Sequence, residues 1–197
     1  MKFSATIRLI RPDQYIKNLF IFLPIFFSLK ITNLSLFTNS LIAFLSFSMV
    51  ASAVYIFNDI HDIDEDKTHP VKKDRPLASG ELSKSYALKI MGTLLFSGLL
   101  LIISISHEAF LIFIIYVLIN IAYTFKLKQI AIVDVYIISI GFVLRLFVGS
   151  IITGIAISKW IIIMTFLLAL FLALSKRRDD VIIYSDTGKK MRKVVDG

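Results

Sequence analysis

Six stretches of this chain each carry close to 20 residues with few or no charges, and that leaves little choice of fold. A helix needs about 20 mostly apolar residues to cross a bilayer. The stretches are 18–37, 36–57, 88–106, 109–125, 130–158 and 160–175. Pro24 and Lys30 interrupt the first, and its border with the second falls within 32–40. The fifth exceeds one span, which predicts a tilt, a kink or a projection into water. Residues 3–17 mix Ile7, Leu9 and Ile10 with Arg8, Arg11 and Lys17, as an interfacial lead-in does. Mean hydropathy is +0.81 and 57% of residues are hydrophobic, so the bilayer as well as a packed core absorbs the apolar surface. The expectation is an all-α, polytopic transmembrane bundle forming one domain over 1–197, with an Asp-rich motif and loop at 58–80. There are no cysteines, which excludes disulfides and thiolate metal sites. Residues 1–7 lack the pattern of a cleaved signal peptide, and no internal repeat or low-complexity tract stands out.

The formal net charge is +8, but its placement says more than its size. Lys2, Arg8, Arg11 and Lys17 precede the first stretch. Lys67, Lys72, Lys73, Arg75, Lys84 and Lys89 follow the second, Lys126 and Lys128 the fourth, and seven Lys and Arg residues the sixth. The alternate links hold only Lys30 and Lys159. By the positive-inside rule both termini and the 58–80 loop face the cytoplasm. Topology thus accounts for the basic residues, and no nucleic-acid module, Walker loop or Rossmann fingerprint is present.

The segment NDIHDIDED, 58–66, places five carboxylates at the mouth of an apolar helix. Asp59, Asp62 and Asp66 are spaced i, i+3 and i+7, which is one helix face, and Asn58 stands one turn from Asp62. Hard oxygen donors in this pattern suit Mg²⁺, which keeps waters and bridges to phosphate oxygens. The bland alternative is a solvated helix end paired with nearby lysines. Asp64 and Glu65 fall off the face and are expected to be solvated. Lys72, Lys73 and Arg75 are candidates for holding phosphate, Arg bidentately and Lys as a point charge. Their alternative role is topology or lipid-headgroup attraction. His69, before Pro70, is expected to be a loop residue.

Asp134 lies a few residues inside the fifth stretch and Arg145 eleven positions on, near mid-membrane. Ionisable groups at such depth indicate function. Asp134 is a candidate to complete a site opposite Asp59 and Asp62, and its alternative is an acid favoured by a helix N-terminus. Arg145 must face a cavity or a partner. Asn120 and Tyr123 are candidate cavity residues. Lys17 and Lys128 complete the candidate substrate-binding cations. No nucleophilic Ser or Cys and no base His is placed for such a site, so the chemistry expected is departure of a diphosphate from carbon with a metal taking up its charge.

These residues resemble the UbiA family of intramembrane prenyltransferases. The resemblance rests on NDIHDIDED, on HPVKKDRPLASG after it, and on YTFKLK with Asp134. Within the family, RPDQYIKNLFIFLP (11–24), LRLFVG (144–149) and LALSKRRDD (172–180) are similar to the decaprenyl-phosphate phosphoribosyltransferase branch. The resemblance implies an all-helical, Mg²⁺-dependent transferase with catalytic Asp59, Asp62 and Asp134 and metal ligands Asp59, Asp62, Asp66 and Asn58. It implies phosphoribosyl diphosphate as donor, a polyprenyl phosphate as acceptor, and a product used for cell-envelope arabinose. The runner-up is a family prenyltransferase that passes a polyprenyl diphosphate to an aromatic acceptor. A non-enzymatic or truncated membrane protein is the alternative of another class. Family members have about nine spans, so six predict a further helical portion. Asp134 is also a single acid where aromatic prenyltransferases have two or more. The sequence does not speak to oligomeric state.

Overall fold

The computed structural model describes residues 2–187, and side chains at 131 and 179–187 are not described. Among the described residues it is helical throughout, without strands. The elements are α1 (Lys2–Ile10), a 3-10 helix (Pro12–Phe22), α2 (Leu23–Phe27), α3 (Leu34–His61), α4 (Ile63–Thr68), α5 (Lys84–Ile103), α6 (His107–Phe125), α7 (Ala131–Thr153) and α8 (Lys159–Thr187). Short 3-10 turns at Lys72–Asp74 and Leu127–Gln129 fill two of the links.

Five of these helices are long and apolar enough to cross a membrane: α3, α5, α6, most of α7, and α8 to Arg178. The first sequence stretch does not form one. Instead the chain descends over Pro12–Phe27, six residues earlier than expected, as a 3-10 helix continued by α2. It runs antiparallel to α3, as successive contacts show: Tyr15 meets Ser52, Asn18 meets Ser48, and the Phe22 ring packs on Phe44. A 3-10 helix rises about 2.0 Å per residue and an α-helix about 1.5 Å, so these 16 residues cover roughly 30 Å. That length is close to the thickness of a bilayer's hydrocarbon core, so the segment is long enough to add a sixth passage to the five helices. The lead-in is likewise shorter than expected. α1 ends at Ile10, Arg11 turns the chain with φ 58°, and Lys17 lies within the descent.

Helix starts follow the sequence closely. Asn33, Ser83 and Ser106 each accept a backbone N–H three residues on, from Leu36, Tyr86 and Ala109. This is the capping that Ser and Asn supply at helix N-termini, worth about 1 kcal/mol apiece. Gly154, at φ 65°, ends α7, so the excess length of the fifth stretch is a loop and no kink is needed.

The interior is built on α3. Phe47 packs edge-on against Phe113, and both are fully buried. Small residues let helices close: Ser46 donates to the Gly98 carbonyl, and a Cβ on Gly98 would stand 2.8 Å from Val50. Gly149 of α7 lies against the backbone of Ile21, where a Cβ would meet the carbonyl oxygen at 2.1 Å. Such close approach through small residues is how membrane helices associate where no water drives them together. Phe96, Leu111, Trp160 and Phe171 point outward, a surface suited to lipid. A second apolar cluster, with Leu9, Ile56, Leu77 and Leu82, sits under the acidic end and anchors the 69–83 strap.

Candidate active site

At the acidic end the helices enclose a cavity of about 830 Å³. Its walls come from the 3-10 helix, α3, α4, the strap, α6, α7 and α8. Arg11, Gln14 and Lys17 all line it. They are three residues apart, and a 3-10 helix has three residues per turn, so they form one row. In an α-helix the third would point elsewhere.

Asp59 is buried and accepts both oxygens' worth of hydrogen bonds from Arg11 Nη2, at 2.6 and 2.8 Å. Arg75 Nη1 bridges Asp59 Oδ1 at 3.0 Å and Asp66 Oδ2 at 2.7 Å. Lys72 Nζ stands 3.8 Å from Asp66. Two buried carboxylates repel each other, and the guanidinium bonded to both offsets that repulsion. The left-handed backbone at Arg11 costs about 1–2 kcal/mol, which its two-point bond to Asp59 offsets.

Asp62 goes elsewhere. The α3 helix stops at His61, Asp62 sits at the break with φ −95° and ψ 7°, and α4 restarts at Ile63. The expected single face is therefore interrupted. Asp59 and Asp66 share Arg75, whereas Asp62 pairs with Lys128, 66 residues away, and with His61 at 3.1 Å. Burial pushes the Asp62 carboxyl up, but hydrogen bonds and charge from Lys128 and His61 outweigh it and hold it below the ordinary aspartate range. All three aspartates and Asn58 still line one cavity. Thr124 donates to the Asn58 side-chain oxygen, fixing its orientation.

Asp134 is buried behind two cavity residues rather than lining the cavity itself. Tyr123 donates to Oδ1 at 2.7 Å and Arg177 Nε to Oδ2 at 2.6 Å. It thus orients Tyr123 and Arg177 instead of facing Asp59 and Asp62. Arg145 is buried on the cavity wall, with Nε on Asn18 Oδ1 at 2.7 Å and Nη1 on the Gly141 carbonyl at 2.6 Å. Its guanidinium lies 4.6 Å from the Phe47 ring centre and 5.3 Å from that of Tyr116. Such contacts stabilise a desolvated cation by roughly 1–2 kcal/mol. Asn120, Tyr123, Lys17, Lys72 and Lys128 line the cavity as expected, but exposed Lys73 is not among its lining residues. Asp64 and Glu65 are both exposed as expected, Asp64 paired with Lys67 and Glu65 at the cavity's edge. His69 is a loop residue that shapes the strap, its Nδ1 accepting from the N–H of Val71 and Lys72. Sequence reasoning missed the site roles of Arg11 and Arg177, which positive-inside counting had already explained.

The oxygen donors here suit Mg²⁺ in kind. Among the described residues no group of three or more acids or histidines forms a protein-only metal cage. Mg²⁺ does not require one, since it binds through one or two carboxylates, waters and substrate phosphates. Each of the three aspartates is paired with an arginine or lysine, so a cation already occupies the position a metal would take.

Fold and site together define a multi-pass, all-helical membrane protein organised around a charged cavity at one end of its bundle. Residues 19–197 match the UbiA prenyltransferase family. The chain belongs to that family. It is 29% identical over 194 residues to the decaprenyl-phosphate phosphoribosyltransferase of Mycolicibacterium smegmatis, covering 96% of this chain and 61% of that protein. It is 30% identical to the enzyme of the same name from Corynebacterium glutamicum, covering 96% and 58%. The chain thus spans about three-fifths of the length of these curated relatives. In fold it is similar to a UbiA homologue from Archaeoglobus fulgidus solved with GPP and Mg²⁺, with TM-score 0.79 and 23% identity, covering 98% of this chain and 69% of that one.

Proposed function

We propose that the cavity belongs to an Mg²⁺-dependent transferase that moves 5-phosphoribosyl from phosphoribosyl diphosphate to a polyprenyl phosphate and releases diphosphate. The observation that carries this reading is the joining of paired carboxylates and phosphate-seeking cations in one cavity with apolar wall residues such as Ile138, Phe142 and Leu172. The relatives named decaprenyl-phosphate phosphoribosyltransferase support the choice of donor and acceptor.

In this reading Asp59, Asp62, Asp66 and Asn58 would hold the metal, which supplies charge neutralisation for the departing diphosphate. Arg75, Lys72 and Lys128, released in part from their aspartates, take phosphate oxygens. At the sugar, the bond from C1 to the diphosphate oxygen breaks and one from C1 to a lipid phosphate oxygen forms. Positive charge develops on C1 and the ring oxygen in between. The acceptor phosphate is ionised at neutral pH, so no side chain need remove a proton. Asp134 positions the Tyr123 hydroxyl and Arg177 at the cavity wall. The distribution of Lys and Arg supports a cavity that opens to the cytoplasm.

The test is transfer of label from phosphoribosyl diphosphate into extractable lipid by membranes carrying the chain, with polyprenyl phosphate and Mg²⁺. Asp62→Ala is expected to abolish it. Label transfer from a polyprenyl diphosphate to an aromatic acceptor, with none from the phosphoribosyl donor, would replace this reading with prenyl transfer.

A further inference from the structure

The cations of the cavity fall into two sets. Arg11, Lys72, Arg75, Lys128 and Arg177 each lie against an aspartate. Lys17, Arg145 and Lys176 do not: among the described residues none of the three makes an ion pair. They come from three passages, the 3-10 helix, α7 and α8, and all line the cavity.

Two features make this second set more than stray charge. Arg145 satisfies its hydrogen bonds with neutral acceptors, Asn18 Oδ1 and the Gly141 carbonyl, so its donors are oriented while its charge is left uncancelled. Three ring faces, Phe47, Tyr116 and Phe142, hold the guanidinium in place. Lys17, next to Asn18 in sequence, lines the same cavity within electrostatic reach of Arg145, Lys176 and Arg11, and of Asp13 on the other side of the balance. Cations gathered in a membrane-embedded wall repel one another strongly where the dielectric is low. Bringing them together without an ion-paired acid is costly unless an anion completes the set.

We propose that Lys17, Arg145 and Lys176 form a receptor for a phosphate monoester dianion, separate from the aspartate side of the cavity. The inference rests on the transferase reading and deepens it by giving the second phosphate its own place. A phosphate monoester carries close to two negative charges at neutral pH. Three cations with no carboxylate paired to them suit it, whereas on the aspartate side the cations are already held by carboxylates. Two substrates of the proposed reaction carry such a group: the sugar at its 5-position and the lipid acceptor. Both present the same chemistry to these side chains.

Calorimetric titration of the purified chain in detergent would test the receptor. Ribose 5-phosphate and geranyl phosphate are the two monoester probes, and inorganic diphosphate with Mg²⁺ reports on the aspartate side. Lys17→Gln and Lys176→Gln are each expected to weaken at least one monoester tenfold or more and to leave Mg-diphosphate within twofold. The monoester that weakens identifies the occupant. Arg145→Lys, which keeps the charge but loses the oriented fork, is expected to weaken the same probe, and exposed Lys89→Gln neither. The receptor is refuted if the wild-type chain binds Mg-diphosphate but neither monoester. It is also refuted if the lysine variants leave both monoesters unchanged or weaken all three probes alike. Monoester binding that obeys these variants in a chain that binds no Mg-diphosphate would uphold the receptor and sink the transferase reading.

Discussion

Gly149→Ala is the sharpest test of how packing sets up the cavity. The added Cβ would stand 2.1 Å from the Ile21 carbonyl oxygen, 2.9 Å from its carbonyl carbon and 3.1 Å from its Cα. Ordinary contact begins at 3.4 Å, so α7 and the 3-10 helix must separate by at least 3.4 − 2.1 = 1.3 Å. The atoms in the way are backbone and cannot rotate aside. Overpacking of this kind costs about 1–3 kcal/mol, here near the upper end. In a chain of this size that is a fall in Tm of roughly 2–4 °C per kcal/mol. The same separation acts one turn away, where Arg145 Nε reaches Asn18 Oδ1 at 2.7 Å. Added along the bond, the shift would take that distance to 2.7 + 1.3 = 4.0 Å, beyond hydrogen bonding. Thermal unfolding in detergent and titration of a phosphate monoester should therefore both change. Gly92→Ala has open space and is the matched control, expected to leave Tm unchanged or slightly raised. A Gly149→Ala protein that melts with the wild type would refute the tight descent past α7.

Three further outcomes follow from the ion pairs. Arg75→Met leaves Asp59 and Asp66 without their shared guanidinium, and should lower Tm by the equivalent of about 3 kcal/mol, with faster proteolysis in the 69–83 strap. Adding Asp66→Asn should restore part of the loss. Arg177→Met strands buried Asp134 and is expected to destabilise, while the pair Arg177→Met with Asp134→Asn should be milder in the same melt. Asp62, held below the ordinary aspartate range by Lys128 and His61, contributes stability that is full above about pH 4 and disappears as pH falls through its folded value. Asp62→Asn should accordingly flatten the acid limb of an unfolding-against-pH curve, and an unchanged limb would show the pair to be inconsequential.

The crossings were legible because burial in lipid needs only length and apolarity, which a sequence displays directly. The first was misplaced because its register follows a 3-10 path, and hydropathy carries no mark of rise per residue. The acidic run announced the site, but not its wiring. Spacing put Asp59, Asp62 and Asp66 on one face, and the helix break at Asp62 sent the middle one to Lys128, a pairing set by how α6 ends rather than by anything local. Arg11 and Arg177 were hidden for another reason. A positive charge at a membrane edge already has an explanation in topology, so its second use as a carboxylate partner adds nothing visible to the sequence. Arg145 was the reverse case, conspicuous because mid-membrane charge has no topological excuse.

The 3-10 descent also has a mechanical side. Its upper end is fixed by Arg11 on Asp59, and its far end turns into α3 at Asn33. Relaxing those 11 residues to an α-helix would shorten them by about 0.5 Å each, roughly 5–6 Å in all. Neither anchor can yield that much without breaking. The segment is therefore a strut of set length, and the row of Arg11, Gln14 and Lys17 keeps its threefold register only while the strut stays taut. One residue added or removed within it would turn everything beyond by about a third of a revolution.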